Sequence, residues 1–197
     1  MNRGGSRVRK EYALLAYFDH ETETKLKQFW VKLNELGISD YGVAVKDRRP
    51  HVTLADYQAI NVEELLVMLN DYFHQQVEVP IHFHSLGAFL GQKMLYIAPT
   101  MTKSLLDLHG NFHEQFKSFD RNPNSYYLPQ RWVPHCTICG RLNEVTFLQA
   151  FEYCQRNIVN FQTRITEVGL VEVYFDDEGN IVKDKLIFSK NLQADKA

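Results

Sequence analysis

Pro50-His51-Val52-Thr53-Leu54 and Pro134-His135-Cys136-Thr137-Ile138 spell one pattern twice, Pro-His-x-Thr-aliphatic. In an extended strand residues i and i+2 share a face. Each segment therefore presents an imidazole beside a hydroxyl, while the residues between and after them turn toward a core. Two such strands facing one another would hold His51, Thr53, His135 and Thr137 around a single pocket. Imidazole ordinarily titrates near neutrality, so a pair can divide acid and base duty. Taken singly, a strand His or Thr reads as core filling, and in a chain with 8 His one His-x-Thr carries little weight. Duplication with matching flanks reverses that reading, because a shared task explains it and packing does not.

Outward from the motifs the chain alternates strand and helix signals. Glu11 to Phe18 reads as a strand, followed by a helix with Leu26, Phe29, Trp30, Leu33 and Leu36 at helical spacing and Gly37 as its stop. Tyr41 to Val45 reads as a strand, and Pro50 limits the start of the first motif strand. A second helix opens on Asn61, with Glu64 three residues later, and buries Val62, Leu65, Leu66, Leu69 and Phe73. Strands are predicted near Val77 to Leu86 and Lys93 to Ala98. A helix over Lys103 to Phe119 carries Leu105, Leu108, Phe112 and Phe116, and one after Asn143 carries Phe147, Leu148, Phe151, Cys154 and Ile158. The last strands, Thr166 to Tyr174 and Ile181 to Phe188, join through Asp176-Asp177-Glu178-Gly179-Asn180. Helix, motif strand, helix, paired strands thus occurs twice. Strand runs bracketed by helices argue for an α+β fold: two antiparallel sheets, helices outside, motif strands lining a central groove.

The segments Arg49-Pro50-His51-Val52-Thr53-Leu54 and Trp132-Val133-Pro134-His135-Cys136-Thr137-Ile138 resemble the 2H phosphoesterase superfamily, in particular its 2′-5′ RNA ligase and cyclic phosphodiesterase branch. The resemblance spans Glu11 to about Leu192 and rests on those two motifs. It implies a bilobal, pseudo-symmetric domain and cleavage of a 2′,3′-cyclic phosphate or related diester to a 2′-phosphate, the reverse of 2′-5′ joining. It implies His51 and His135 as the acid/base pair and Thr53 and Thr137 as phosphate clamps, with a basic residue after the second motif, Arg141, contacting substrate. Cys136 and Gly140 depart from the commoner aliphatic wording. Strand parity adds Arg49, Tyr57 and Arg131 as weaker groove candidates. Lys46, Arg48 and Arg49 otherwise read as a solvated loop.

Composition sets limits on partners. With 197 residues and 45% hydrophobic content the chain can bury a core, and its formal charge of −2 excludes electrostatic coating of a long duplex. An RNA end or a small nucleotide is the expected partner. Met1 to Lys10 reads as a loose basic tail, Glu11 to Leu192 as one domain, and 193–197 as a flexible end. No run reaches the roughly 18 apolar residues of a membrane span, and a cytoplasmic protein is expected. Cys136, Cys139 and Cys154 make no even disulfide framework. The Cys-x-x-Cys spacing puts Cys136 and Cys139 on opposite strand faces, with Cys139 sharing the groove face of His135 and Thr137 and open to reagents there. His82 with His84 and His109 with His113 have metal-like spacings but no third ligand, and the helical pair reads as a solvated face. No glycine-rich phosphate loop is present, so neither cofactor nor metal is expected. Two competing readings remain: an RNA- or nucleotide-binding protein without turnover, and an interaction protein whose repeated motif packs a core.

Overall fold

The structure, a computed structural model, describes residues 9–194. The first half runs β1 (Arg9–Phe18), α1 (His20–Glu35), β2 (His51–Tyr57), α2 (Val62–Phe73), β3 (Val79–Gly87) and β4 (Leu95–Pro99). The second runs α3 (Lys103–Gln115) with a 3-10 turn at Lys117–Phe119, then β5 (Cys136–Cys139), α4 (Glu144–Asn157), β6 (Phe161–Phe175) and β7 (Ile181–Asn191). After β1, helix, motif strand, helix and paired strands occur twice, and all named strand pairs are antiparallel. The α+β class is therefore as the sequence predicts.

The two halves interlock. The β3–β4 hairpin of the first half flanks β5, the motif strand of the second, while β6 of the second half flanks β1 and so supports β2. Strand β6 is the hinge of this exchange: Phe161–Ile165 pairs with β3, Glu167–Phe175 with β7, and along its other edge Ile165–Phe175 pairs with β1. The two expected sheets are consequently the two wings of one seven-stranded sheet, ordered β2-β1-β6-β3-β4-β5 with β7 beside β6. Its end strands β2 and β5 come into contact, so the path curls until the two motifs meet.

Alternation on β1 separates two apolar faces. Leu14, Ala16 and Phe18 join the main core with Leu26 and Leu33 of α1 and Leu65, Leu69 and Phe73 of α2. Leu15 and Tyr17 turn the other way and pack with Val171 and Val173 in a cluster built from sheet residues alone. The helices start and stop where their caps dictate. Asn143 and Thr146 form a reciprocal capping box on α4, each bond 2.9 Å. Gly37, at φ 67°, ends α1 as the Ile38 amide reaches back 3.0 Å to the Leu33 carbonyl.

Several expectations need correction. Tyr41 to Val45 forms turns instead of a strand, because the Val43 and Ala44 amides both bond the Asp40 carbonyl and Gly42 lies under the Trp30 ring. Arg9 and Lys10 belong to β1, where Arg9 pairs with Glu11 and Lys10 with Glu172; Arg3 and Arg7 lie outside the described residues. Gln193 bridges Val77 and so is held, whereas 195–197 lie outside the described residues. On α4 Cys154 is buried as expected, but the other buried position is Ala150, and Leu148 is 70% exposed. Among the described residues no helix is long and apolar enough to cross a membrane.

Asp19 ties the start of α1 to the hinge strand, accepting the Thr22 amide at 2.8 Å and the Thr163 hydroxyl. Burial opposes its ionisation, but the bonds from Thr163 and Thr22 outweigh it and hold the carboxyl below its ordinary range. Replacing Asp19 by Ala is expected to destabilise the protein by about 1–2 kcal/mol, measured by urea unfolding, with Asp19→Asn losing less.

Candidate active site

His51 opens β2, and His135 immediately precedes β5. In both motifs a proline separates the histidine from the carbonyl it contacts: His51 Nδ1 lies 2.6 Å from the Arg49 oxygen, and His135 Nδ1 lies 2.7 Å from the Val133 oxygen. Proline fixes its own φ and biases the preceding residue to an extended backbone, which turns that carbonyl toward the ring. A carbonyl only accepts, so Nδ1 carries the hydrogen in each histidine and Nε2 is left for a ligand. His51, Thr53, His135 and Thr137 all line one cavity of about 720 Å³. The structure thus brings the four motif residues together.

Burial pushes the His51 ring down to about 4, against the Arg49 carbonyl, which favours the protonated form; Arg48, His135 and Arg49 lower it further. His135 is likewise lowered by burial, with the Val133 carbonyl opposing. Burial therefore holds both imidazoles toward the neutral form near pH 7. An anion bound between them would favour protonation of one.

Each histidine rests on a tyrosine from the neighbouring strand, and each tyrosine lies over a glycine. The Tyr17 ring stands edge-on to His51 at 6.4 Å, and the Tyr96 ring lies 5.2 Å from His135, which Phe89 also contacts at 4.9 Å. A Cβ on Gly169 would come within 2.8 Å of the Tyr17 ring, and one on Gly87 within 2.6 Å of the Tyr96 ring. Glycine is thus required at both places for the close approach that seats the rings.

A buried brace stands behind β2. Trp132 donates its indole N–H to the Thr53 carbonyl at 2.9 Å, and His113 Nε2 donates to the Leu54 carbonyl at 3.0 Å. His113 Nδ1 meets Asp120 at 2.9 Å, and His109 stacks on Trp132 at 3.8 Å with rings parallel to 1°. His109 and His113 are 3% and 4% exposed, which overturns the solvated-face expectation: their spacing serves to grip the first motif strand from α3.

The cationic candidates are sorted differently from the sequence expectation. Arg48 is 6% exposed at the cavity, donating 2.8 Å to the Tyr41 carbonyl and lying 3.7 Å from Asp184, so it is no solvated loop residue. Arg131 also lines the cavity. Arg49 faces away, chelated by Glu23 and Glu167. Arg141 is not brought to the four motif residues. It sits at φ 58°, donates 2.8 Å to the Ile181 carbonyl and lines a separate shallow depression with Asn34 and Asn143. Tyr57 lies in the core, its hydroxyl without a hydrogen-bond partner among the described residues. Cys139, fully buried beside Cys154, does not reach the cavity; an irregularity in the β4–β5 register breaks the parity that predicted it there. Tyr17, Tyr96 and Trp132 escaped sequence reading because single aromatics next to a strand carry no spacing signal. Tyr41 and Tyr127, also lining the cavity, had one: each ends a Ser-x-Tyr segment a short distance before a motif histidine.

Residues 23–176 match the sequence model of the 2′-5′ RNA ligase superfamily. Among solved structures, E. coli LigT complexed with 3′-AMP superposes with a TM-score of 0.61 at 12% identity, covering 94% of this chain and 99% of that one. TT0787 of Thermus thermophilus gives a TM-score of 0.60 at 12% identity, with 94% and 99% covered. A structure described as a phosphoesterase gives 0.61 at 12% identity, with 93% and 99% covered. No curated protein sequence matches the chain. The family match spans most of the sequence, and the protein belongs to the 2′-5′ RNA ligase superfamily of 2H phosphoesterases. The solved structures establish the shared fold.

Gly87→Ala and Gly169→Ala are expected to displace Tyr96 and Tyr17 and, with them, one histidine each. In histidine-side-chain NMR, Gly87→Ala should move the His135 ring signals and leave those of His51 near their wild-type positions, and Gly169→Ala should do the converse.

Proposed function

We propose that the protein is a metal-independent phosphoesterase that opens a 2′,3′-cyclic phosphate, or hydrolyses a related diester, at an RNA end or small nucleotide. The observation that carries this reading is the pair of imidazoles, both fixed through Nδ1 and both lining one cavity with a threonine two residues on. A water oxygen attacks phosphorus and gives its proton to Nε2 of one histidine as the P–O bond to a ribose oxygen breaks. That oxygen takes its proton from Nε2 of the other histidine, so one water is added and a monoester forms. Thr53 and Thr137 donate to non-bridging oxygens, where charge rises in the transition state. The similar fold of E. coli LigT in complexes with 3′-AMP, NADP+ and ATP supports a small nucleotide as ligand. In 2′-5′ joining a 5′-hydroxyl would take the place of water as the nucleophile on the cyclic phosphate, and the same two histidines would move the protons. The free, buried thiols of Cys136, Cys139 and Cys154 fit a cytoplasmic setting.

Arg141 leaves the proposed substrate contacts, and Arg131 and Arg48 replace it as the cations lining the cavity. The aliphatic cluster of Leu15, Val171 and Val173 forms part of the same wall. Such a wall accepts a nucleoside's apolar faces more readily than further phosphates.

Assay of 2′,3′-cyclic mononucleotides and a short RNA bearing that terminus, with EDTA present, should show turnover that His51→Ala and His135→Ala each reduce by about 10²–10⁴-fold. Binding without turnover, surviving loss of either histidine, would instead mark a nucleotide-binding protein of the same fold. The pH dependence has a definite sign. Because burial depresses both imidazoles, the fraction of enzyme holding one protonated ring falls as pH rises, and kcat/KM is expected to decline from about pH 6 toward pH 8.

A further inference from the structure

A second repeat is woven through the first. Ser39-Asp40-Tyr41 precedes the first motif and Ser125-Tyr126-Tyr127 the second, and each crosses to the motif strand of the opposite half. Ser39 Oγ donates 3.1 Å to the Gly140 carbonyl and accepts the Gly140 and Tyr41 amides, both at 3.3 Å. Ser125 Oγ donates to the Asp56 carboxylate and accepts the Tyr127 amide at 3.0 Å. Gly140 and Asp56 are equivalent positions, each five residues past its motif histidine.

The tyrosine carbonyls are tied as well. The Tyr41 carbonyl accepts from Arg48 at 2.8 Å, with the guanidinium 4.6 Å from the Tyr41 ring centre, and the Tyr127 carbonyl accepts from His109 Nε2 at 2.8 Å. Gly140 makes room for the ring, since a Cβ there would lie 2.8 Å from Tyr41. With both backbones clamped, the side chains line the cavity beside Thr53 and Thr137, the Tyr41 hydroxyl within electrostatic reach of Thr137 and the Tyr127 hydroxyl of Thr53. The segment from one half therefore serves the threonine of the other.

We propose that Tyr41 and Tyr127 are catalytic hydroxyls, each joining the motif threonine of the other half, Tyr41 with Thr137 and Tyr127 with Thr53, to hold one non-bridging oxygen of the bound phosphodiester. The inference rests on the phosphodiester reading above. The local charge explains why neutral donors are used. Glu11, Asp56 and Asp184 line the cavity with Arg48 and Arg131, and Arg48 is already engaged by Asp184 and the Tyr41 carbonyl. Hydroxyl pairs can hold a diester monoanion there without adding fixed charge. Both tyrosines stay protonated as donors, burial raising the Tyr127 hydroxyl to about 12 and the Tyr41 hydroxyl upward too.

The test compares wild type, Tyr41→Phe, Tyr127→Phe, Ser39→Ala, Ser125→Ala and the two His→Ala variants. Three readouts are taken: thermal melting, turnover of the cyclic phosphate panel, and calorimetric binding of a deoxydinucleoside monophosphate, a diester monoanion. Each Phe variant should lower kcat by about 10²-fold and weaken diester binding at an unchanged melting temperature, because only a cavity-facing hydroxyl is lost. The Ser variants, which keep the hydroxyls but release the clamps, should lower stability and kcat together. If wild type turns over and the His variants do not, yet both Phe variants stay within about twofold of wild type, the tyrosine inference fails alone. It also fails if the Phe variants lose melting temperature in parallel with the Ser variants. If wild type turns over nothing, the two-histidine reading fails. The tyrosine clamp then stands only if the Phe variants weaken diester binding, and it is overturned if binding is absent or unaffected.

Discussion

The geometry of the site depends on one strand being long enough to belong to both halves. Strand β6 pairs with β3 over its first residues and with β7 over the rest, while β1 runs along its other edge. Were β6 confined to Glu167–Phe175, the β3-β4-β5 wing would lose its ladder to this strand, and through it to β1 and β2. Because it spans both stretches, one ladder carries both motif strands, and curling brings its ends into contact. Asp19 and Thr163 pin the helix that precedes β2 onto this same strand. Register errors anywhere along β6 would reach both motifs, since a one-residue slip reverses every side chain.

On that frame the chain repeats a small set of devices. Each histidine is anchored to a carbonyl across a proline, leans on a tyrosine, and that tyrosine covers a glycine. The repetition is matched in placement but unequal in support. His113, His109 and Trp132 brace the first motif strand from behind, whereas the second is held through Ser39 on Gly140. The asymmetry gives the two imidazoles different surroundings, which under the proposed reaction would let one serve as acid and the other as base.

Much of this was legible in the residues and some was not, for reasons that can be named. The motif strands and their shared pocket followed from period-two alternation at His51, Thr53, His135 and Thr137. The buried faces of α2 and α3 followed from 3.6-residue spacing, with Asn61 as the cap of α2. Tyr41 to Val45 misled because apolar content resembles a strand, yet the tight seat of Gly42 beneath Trp30 requires a turn. On α4 apolar spacing pointed to Phe147, Leu148, Phe151, Cys154 and Ile158; Cys154 is buried and Phe147 and Ile158 pack against the core, but Leu148 and Phe151 are exposed and Ala150, small enough to let the helix approach the sheet, is buried instead. Arg141 failed on parity: β5 ends at Cys139, and two residues later the backbone is left-handed, so the alternation that aimed the side chain at the groove no longer applies. His109 and His113 show that an i, i+4 pair cannot reveal whether it faces water or the back of a strand.

The central claim is that two neutral imidazoles present Nε2 to one cavity, each locked by a carbonyl on Nδ1. Long-range ¹⁵N–¹H correlation of the histidine side chains near pH 7 tests it directly. The account predicts that His51 and His135 are both neutral Nδ1–H tautomers, and that a diester monoanion shifts the titration of at least one of them upward. An Nε2–H tautomer at either ring, or titration of both unchanged by the diester, would contradict it.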